Sequence, residues 1–213
     1  MTAVFSAFVL LGAFGASAGV LYSQPANNPG TYYASQNDTT LGGYGNFAIV
    51  YDDFTLAGAS TVTTVDWTGG YYGGGGTPDI TGFTVDFFSD NAGQPGALLV
   101  SDSVVGNAGQ TLLGDGDFSY SAGAPFSAAG GTKYWLSIVP DMAFPPQWGW
   151  ESSSPSGGDG IAYQYFLGNT SQVGTDFAFT LEGNASVPDG GSTAMLLGMG
   201  VAGLTWLRRR FVA

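Results

Sequence analysis

The stretch that most limits what this chain can fold into is Ile-Thr-Gly-Phe-Thr-Val-Asp-Phe-Phe-Ser, residues 80–89. Phe83, Val85 and Phe87 alternate with Thr84, Asp86 and Phe88, and a period of two sends the two sets to opposite faces of a half-buried strand. Asn91 to Gly96, built from Asn, Gly and Pro, turns the chain, and residues 97–105 run back, so the two segments read as an antiparallel pair. Short runs of the same kind recur at 47–54, 62–67, 133–139, 161–167 and 176–181. In the run 133–139, Tyr134, Leu136 and Ile138 share a face opposite Trp135; in the last, Phe177, Phe179 and Leu181 share one. About eight to ten short strands separated by Gly/Pro/Asn turns predict an all-β fold, an antiparallel β-sandwich of jelly-roll type.

The 36 glycines and the 15% aromatic content fit that expectation, because glycine accepts turn dihedrals while rings fill the space between sheets. Four consecutive glycines, Gly73 to Gly76, end the segment 69–76, which reads as a mobile loop. It lacks the Gly-Lys-Ser/Thr ending of a phosphate loop. Residues 19–46, rich in Asn, Gly, Ser and Tyr and broken by Pro25 and Pro29, read as an extended lead-in with one edge strand. The folded domain is thereby placed at 47–186, within the ~100–200 residues of one domain.

Charge and missing residue types exclude whole classes of function. All but one of the 16 acidic residues lie between Gly19 and Ser186, where Lys133 is the only base. Such a surface repels nucleic acid and anionic membranes. A chain with no cysteine and no histidine builds no disulfide, no His-dependent triad, no Cys nucleophile and no His/Cys zinc site. Calcium is the natural counter-ion of so many aspartates, and Asp115-Gly116-Asp117 is the tightest acidic pair on a turn. The competing reading is that turn aspartates bond their own backbone.

Both ends carry address signals. Residues 1–18 read as a signal peptide, with an apolar stretch from Val4 to Phe14 and a cleavage site after Ala16-Ser17-Ala18, although the usual basic start is missing. Residues 187–213 run Val187-Pro188-Asp189-Gly190-Gly191-Ser192-Thr193, then an apolar segment from Ala194 to Leu207, then Arg208, Arg209 and Arg210. As a helix the apolar segment spans about 21 Å, short of a ~30 Å hydrocarbon core, and flanking arginines make up the difference while holding that end in the cytoplasm. This tail resembles the PEP-CTERM class of bacterial sorting signals, in the variant whose tripeptide reads V-P-D, with Asp189 departing from the founding Glu-Pro. The resemblance implies processing by an exosortase, passage through the inner membrane of a Gram-negative-type bacterium, and delivery to the cell surface or an exopolysaccharide matrix. An uncleaved membrane anchor is the plainer alternative. The run F-x-V-x-F-F-S-D-N-A-G-x-P-G-x-L resembles a unit of bacterial surface β-sandwich domains that often precede such tails; the resemblance spans residues 47–140 and brings no catalytic residues.

Three functions follow for the body. One is a non-catalytic surface or matrix module. Another is a carbohydrate-binding module, with Trp148 and Trp150 two apart on a strand and Tyr163 and Tyr165 nearby forming a platform for sugar rings. A glycan-active enzyme is the third; it needs two carboxylates across a cleft, and the two glutamates, Glu151 and Glu182, have no acidic partner that spacing identifies.

Overall fold

A computed structural model describes residues 18–27, 30–74, 76–153, 158–186 and Gly198. The signal peptide and the sorting tail therefore lie outside the described residues, apart from Ala18 and Gly198. Among the described residues no helix is long and apolar enough to cross a membrane.

Among the described residues, fourteen strands form two sheets of seven. In chain order they are β1 (Gly19–Gln24), β2 (Tyr32–Ala34), β3 (Gln36–Asp38), β4 (Gly45–Thr55), β5 (Ser60–Tyr72), β6 (Gly82–Asp90) and β7 (Pro95–Val105), followed by β8 (Thr111–Gly114), β9 (Asp117–Ala128), β10 (Lys133–Met142), β11 (Gln147–Glu151), β12 (Ala162–Phe166), β13 (Asn169–Val173) and β14 (Phe179–Ala185). The first sheet is built on β5. β9 lies along one edge of it, with β8 outside; β14 and β11 share the other edge in succession, with β1 and β2 outside them. The second runs β13-β12-β4-β3-β10-β6-β7, and β4 also pairs directly with β10. Pairing is antiparallel except between β3 and β10. Two facing antiparallel sheets make a β-sandwich, as the period-two pattern predicts.

The alternation in β6 sets the core. Phe83, Val85 and Phe87 are buried between the sheets, opposite Leu136 and Ile138 of β10. Rings close the gap from the other sheet: Phe87 stacks on Phe126 at 4.4 Å, and Phe83 meets Trp67 edge-on at 5.0 Å and Tyr120 at 5.2 Å. Such contacts add about 0.5–1.5 kcal/mol per pair beyond burial.

Two expectations fail for one reason. Residues 69–72 continue β5 rather than opening a loop, and residues 19–38 supply three strands to the sheets rather than a lead-in with one edge strand. Gly69 and Gly70 face opposite sides of the sheet, and each makes room for an aromatic ring. A Cβ on Gly69 would run into the Trp148 indole and lie 2.7 Å from the Gly149 carbonyl; one on Gly70 would lie 2.7 Å from Cζ of Tyr32. Ring packing against bare backbone outweighs the strand-weakening entropy of glycine, which costs only about 0.5–1 kcal/mol. β13 forms without a period-two signal, its Asn-Thr-Ser-Gln composition carrying no apolar face.

Gly69→Ala and Gly149→Ala are each expected to destabilise the protein by about 1–3 kcal/mol through overpacking. Gly58→Ala, with nothing within 4 Å of the new Cβ, is expected to stay within ~0.5 kcal/mol. Urea unfolding midpoints of the three variants check this, and equal midpoints would contradict the clearance role.

Candidate functional site

Trp148 and Trp150 do not form a surface platform. Both are fully buried in the core: β11 turns its even-numbered side chains inward, and their polar ends are satisfied there. Trp148 Nε1 donates to the Tyr120 hydroxyl at 3.0 Å, and Trp150 Nε1 donates to the Ala178 carbonyl at 2.9 Å. Once an indole N–H has a buried acceptor, nothing favours exposing the ring. Tyr163 and Tyr165 lie half-buried on the outer face of the other sheet, where Tyr163 opposes Tyr51 across β12 and β4 and meets the edge of Trp135 at 5.5 Å. The four aromatics grouped by sequence are thus split between the core and an outer face.

A different set of rings is concave. Tyr32, Tyr33, Ala34, Tyr72, Gln164 and Phe166 line a cleft of about 230 Å³ where β2 of one sheet comes alongside β12 of the other. Tyr32 and Tyr72 stack with centroids 6.1 Å apart and planes 9° from parallel, and Tyr72 and Phe166 are 36% and 42% exposed. Sequence reading missed this group because Tyr72 sat in the supposed glycine loop and Tyr32 in the supposed lead-in.

The acidic turn also separates. Asp115 is exposed, with φ +50°, in the turn between β8 and β9, whereas Asp117 opens β9 fully buried. Among the described residues, no three or more Asp, Glu, His or Cys side chains are grouped to hold a metal ion. What Asp117 meets is Tyr32, whose hydroxyl donates to its Oδ1. The Tyr32 ring reaches Asp117 by crossing the outer face of the first sheet over Gly149 and Gly70, where a Cβ would lie 2.8 Å from Tyr32 Cβ and from its hydroxyl respectively. Glu151, two residues beyond Gly149 on the same face, is fully buried beneath Gly30. The Gly30 amide faces the Glu151 carboxylate without a well-aligned hydrogen bond to either oxygen, and Oδ2 of Asp117 has no hydrogen-bond partner. Burial, then the charge of Asp117, pushes the Glu151 carboxyl up to about 7 against the pull of the Gly30 amide. Glu151 on β11 and Asp117 on β9 are separated by β5.

A second acidic group sits where β4 and β10 approach Phe177. Asp52 accepts from the amides of Phe177 at 2.7 Å and Asp53 at 2.9 Å, while Asp176 accepts from the amides of Gly158 and Gly160. Lys133 Nζ lies 2.8 Å from both Asp53 and Asp159. Burial holds the Asp52 carboxyl well above the usual range and lifts Asp53 to about 6 despite Lys133. Apart from Oδ1 of Asp53, which has no partner, these groups are held by the protein's own donors and form a structural cluster.

Neither cluster identifies the chain; its C-terminus carries the recognisable signal. The family model of the VPDSG-CTERM motif matches residues 186–211. The tail is therefore a PEP-CTERM-like sorting tail, and this chain has Gly190 where the motif's name has Ser. No curated protein matches the chain. The VPDSG-CTERM match covers the tail alone and leaves the body to be read from its own geometry.

Stability should fall as pH rises. Asp53 and Glu151 have folded values near 6 and 7, above their ordinary carboxyl values of 3.8 and 4.5, so the folded state keeps protons that the unfolded chain releases in that window. This contribution is fully present below pH ~4 and lost as pH rises through 6 and 7. In divalent-free buffer the melting temperature is expected to be higher at pH ~5 than at pH ~8; calorimetry showing the reverse order would contradict the assignment.

Proposed function

We propose that this is an exported surface protein whose β-sandwich body is a non-catalytic module, delivered to the cell surface or an exopolysaccharide matrix. The observation that carries the reading is the VPDSG-CTERM match at residues 186–211. In this reading an exosortase is the transient partner, the segment Ala194–Leu207 is a single membrane-spanning helix held by Arg208, Arg209 and Arg210, and the jelly-roll-type body is released outside the inner membrane. The acidity of the body supports a role outside the cell without nucleic acid.

Intact mass of the protein from cells and from their medium tests this. The expected mature species starts at Gly19 and ends between Val187 and Gly191. Full-length chain retained in the inner membrane would leave an ordinary anchored domain instead. Replacing Arg208, Arg209 and Arg210 by Ala is expected to abolish processing, read as accumulation of unprocessed chain.

Carbohydrate binding is a second reading, moved from the tryptophans to the cleft of Tyr32, Tyr72 and Phe166. Concave apolar walls with one amide, Gln164, suit a sugar ring stacked on an aromatic face. The surrounding acidity favours neutral over anionic glycans. Affinity electrophoresis in gels containing neutral polysaccharides is expected to retard the protein, with the effect lost in Tyr72→Ala; equal mobility with and without polysaccharide removes this reading.

A further inference from the structure

The aromatic surface of the cleft does not end at its rim. Phe166, which lines the cleft, has its ring centroid 6.0 Å from that of Phe47, and Phe47 in turn meets Tyr44 and Phe144, each at 5.6 Å. Phe47 is buried, whereas Tyr44 is 64% exposed and Leu167, next to Phe166, is exposed as well. One carboxylate pins the segments that carry Tyr44 and Phe144. Asp38, itself buried, accepts from the amides of Thr40 at 3.0 Å, Tyr44 at 2.8 Å and Phe144 at 3.2 Å. Rings on a backbone fixed in this way form a preorganised surface, and a ligand that stacks on them has little ordering to offset. Exposed apolar side chains scattered singly are ordinary, but a contiguous group beside a concave site marks an interaction surface.

We propose that this surface binds an extended neutral polysaccharide chain, with one sugar in the cleft and further sugars over Phe166 and Tyr44. The inference rests on the carbohydrate reading of the cleft and extends it from a single sugar to a chain. At about 230 Å³ the cleft is smaller than the ~300–1,000 Å³ of pockets that enclose a whole small ligand. The remaining contacts therefore come from outside it, and the rings that continue from it are those at 166 and 44. A sugar offers an apolar C–H face to a ring and hydroxyls to an amide. Gln164 uses Nε2 on the Ala34 carbonyl at 2.9 Å, which leaves Oε1 to accept from a hydroxyl. Charge selects the occupant: all but one of the 16 acidic residues lie between Gly19 and Ser186, where Lys133 is the only base. A second copy, an anionic polymer and an anionic membrane are all repelled, and a neutral chain is not. The surface also faces away from the tail. The Ser186 amide donates to the Ala59 carbonyl, beside the start of β5 at Ser60, and Tyr72 ends the same strand. At ~3.3 Å per residue the two ends of β5 are about 40 Å apart, so a protein held by its tail presents the rings outward.

The test is affinity electrophoresis of the full chain in mild detergent, in gels of hydroxyethylcellulose, glucomannan or soluble starch. Titration with oligosaccharides of the retarding polymer, from disaccharide to hexasaccharide, follows. The hexasaccharide is expected to bind about tenfold more tightly than the disaccharide. Tyr44→Ala is expected to weaken the hexasaccharide about 2–10-fold and to leave the disaccharide unchanged, whereas Tyr72→Ala weakens both. Tyr44→Phe, which keeps the ring face, is expected to bind like wild type, and so is Leu98→Ala, an exposed position on β7. Affinity that is independent of chain length and of Tyr44, yet lost in Tyr72→Ala, overturns the extended site while leaving a single-sugar cleft. Wild type unretarded by all three polymers removes the cleft reading and this inference with it. Concentration-dependent dimerisation that Tyr44→Ala abolishes, without polymer binding, gives the surface to a second copy and overturns the proposal.

Discussion

In a chain with no cysteine, the contact between aromatic rings across the two sheets carries the load that disulfides carry in many small secreted domains. Phe87 on Phe126 and Phe83 against Trp67 and Tyr120 join β6 of one sheet to β5 and β9 of the other. Trp148 extends the same cluster through its hydrogen bond to Tyr120, and Trp150 extends it through Phe177 at 5.4 Å. Close packing of large rings demands clearance elsewhere. The glycines at 69, 70 and 149 provide it in the strand interiors.

Clearance on the inside also shapes the outside. Because β11 sends Trp148 and Trp150 inward, Gln147, Gly149 and Glu151 face outward. Bare backbone at Gly149 and Gly70 then lets Tyr32 lie flat across two strands and reach Asp117 on a third. One tyrosine thus links the aromatic cleft to the buried carboxylates, with its ring stacked on Tyr72 and its hydroxyl on Asp117.

The tail and the body answer different questions. The VPDSG-CTERM tail concerns destination and can be read in linear order, since a short motif, an apolar run and a basic cluster act through sequence and length. The body's chemistry lies on faces made from strands distant in sequence, and fold alone does not name a ligand.

Sequence by itself determined the all-β class, the β6–β7 antiparallel pair, the opposite faces of Leu136 and Trp135, and the sorting tail. These rest on local quantities: period-two alternation, turn chemistry and charge order. Only the tertiary structure decided that Trp148 and Trp150 are core, that Gly69 and Gly70 belong to a strand, and that Asp117 is buried and bonded to Tyr32 while Asp115 is exposed. Those outcomes depend on cross-strand register and on which ring fills which gap. A pattern of two along one strand says which residues share a face, but not whether that face looks into the sandwich or what the neighbouring strand sets beside it.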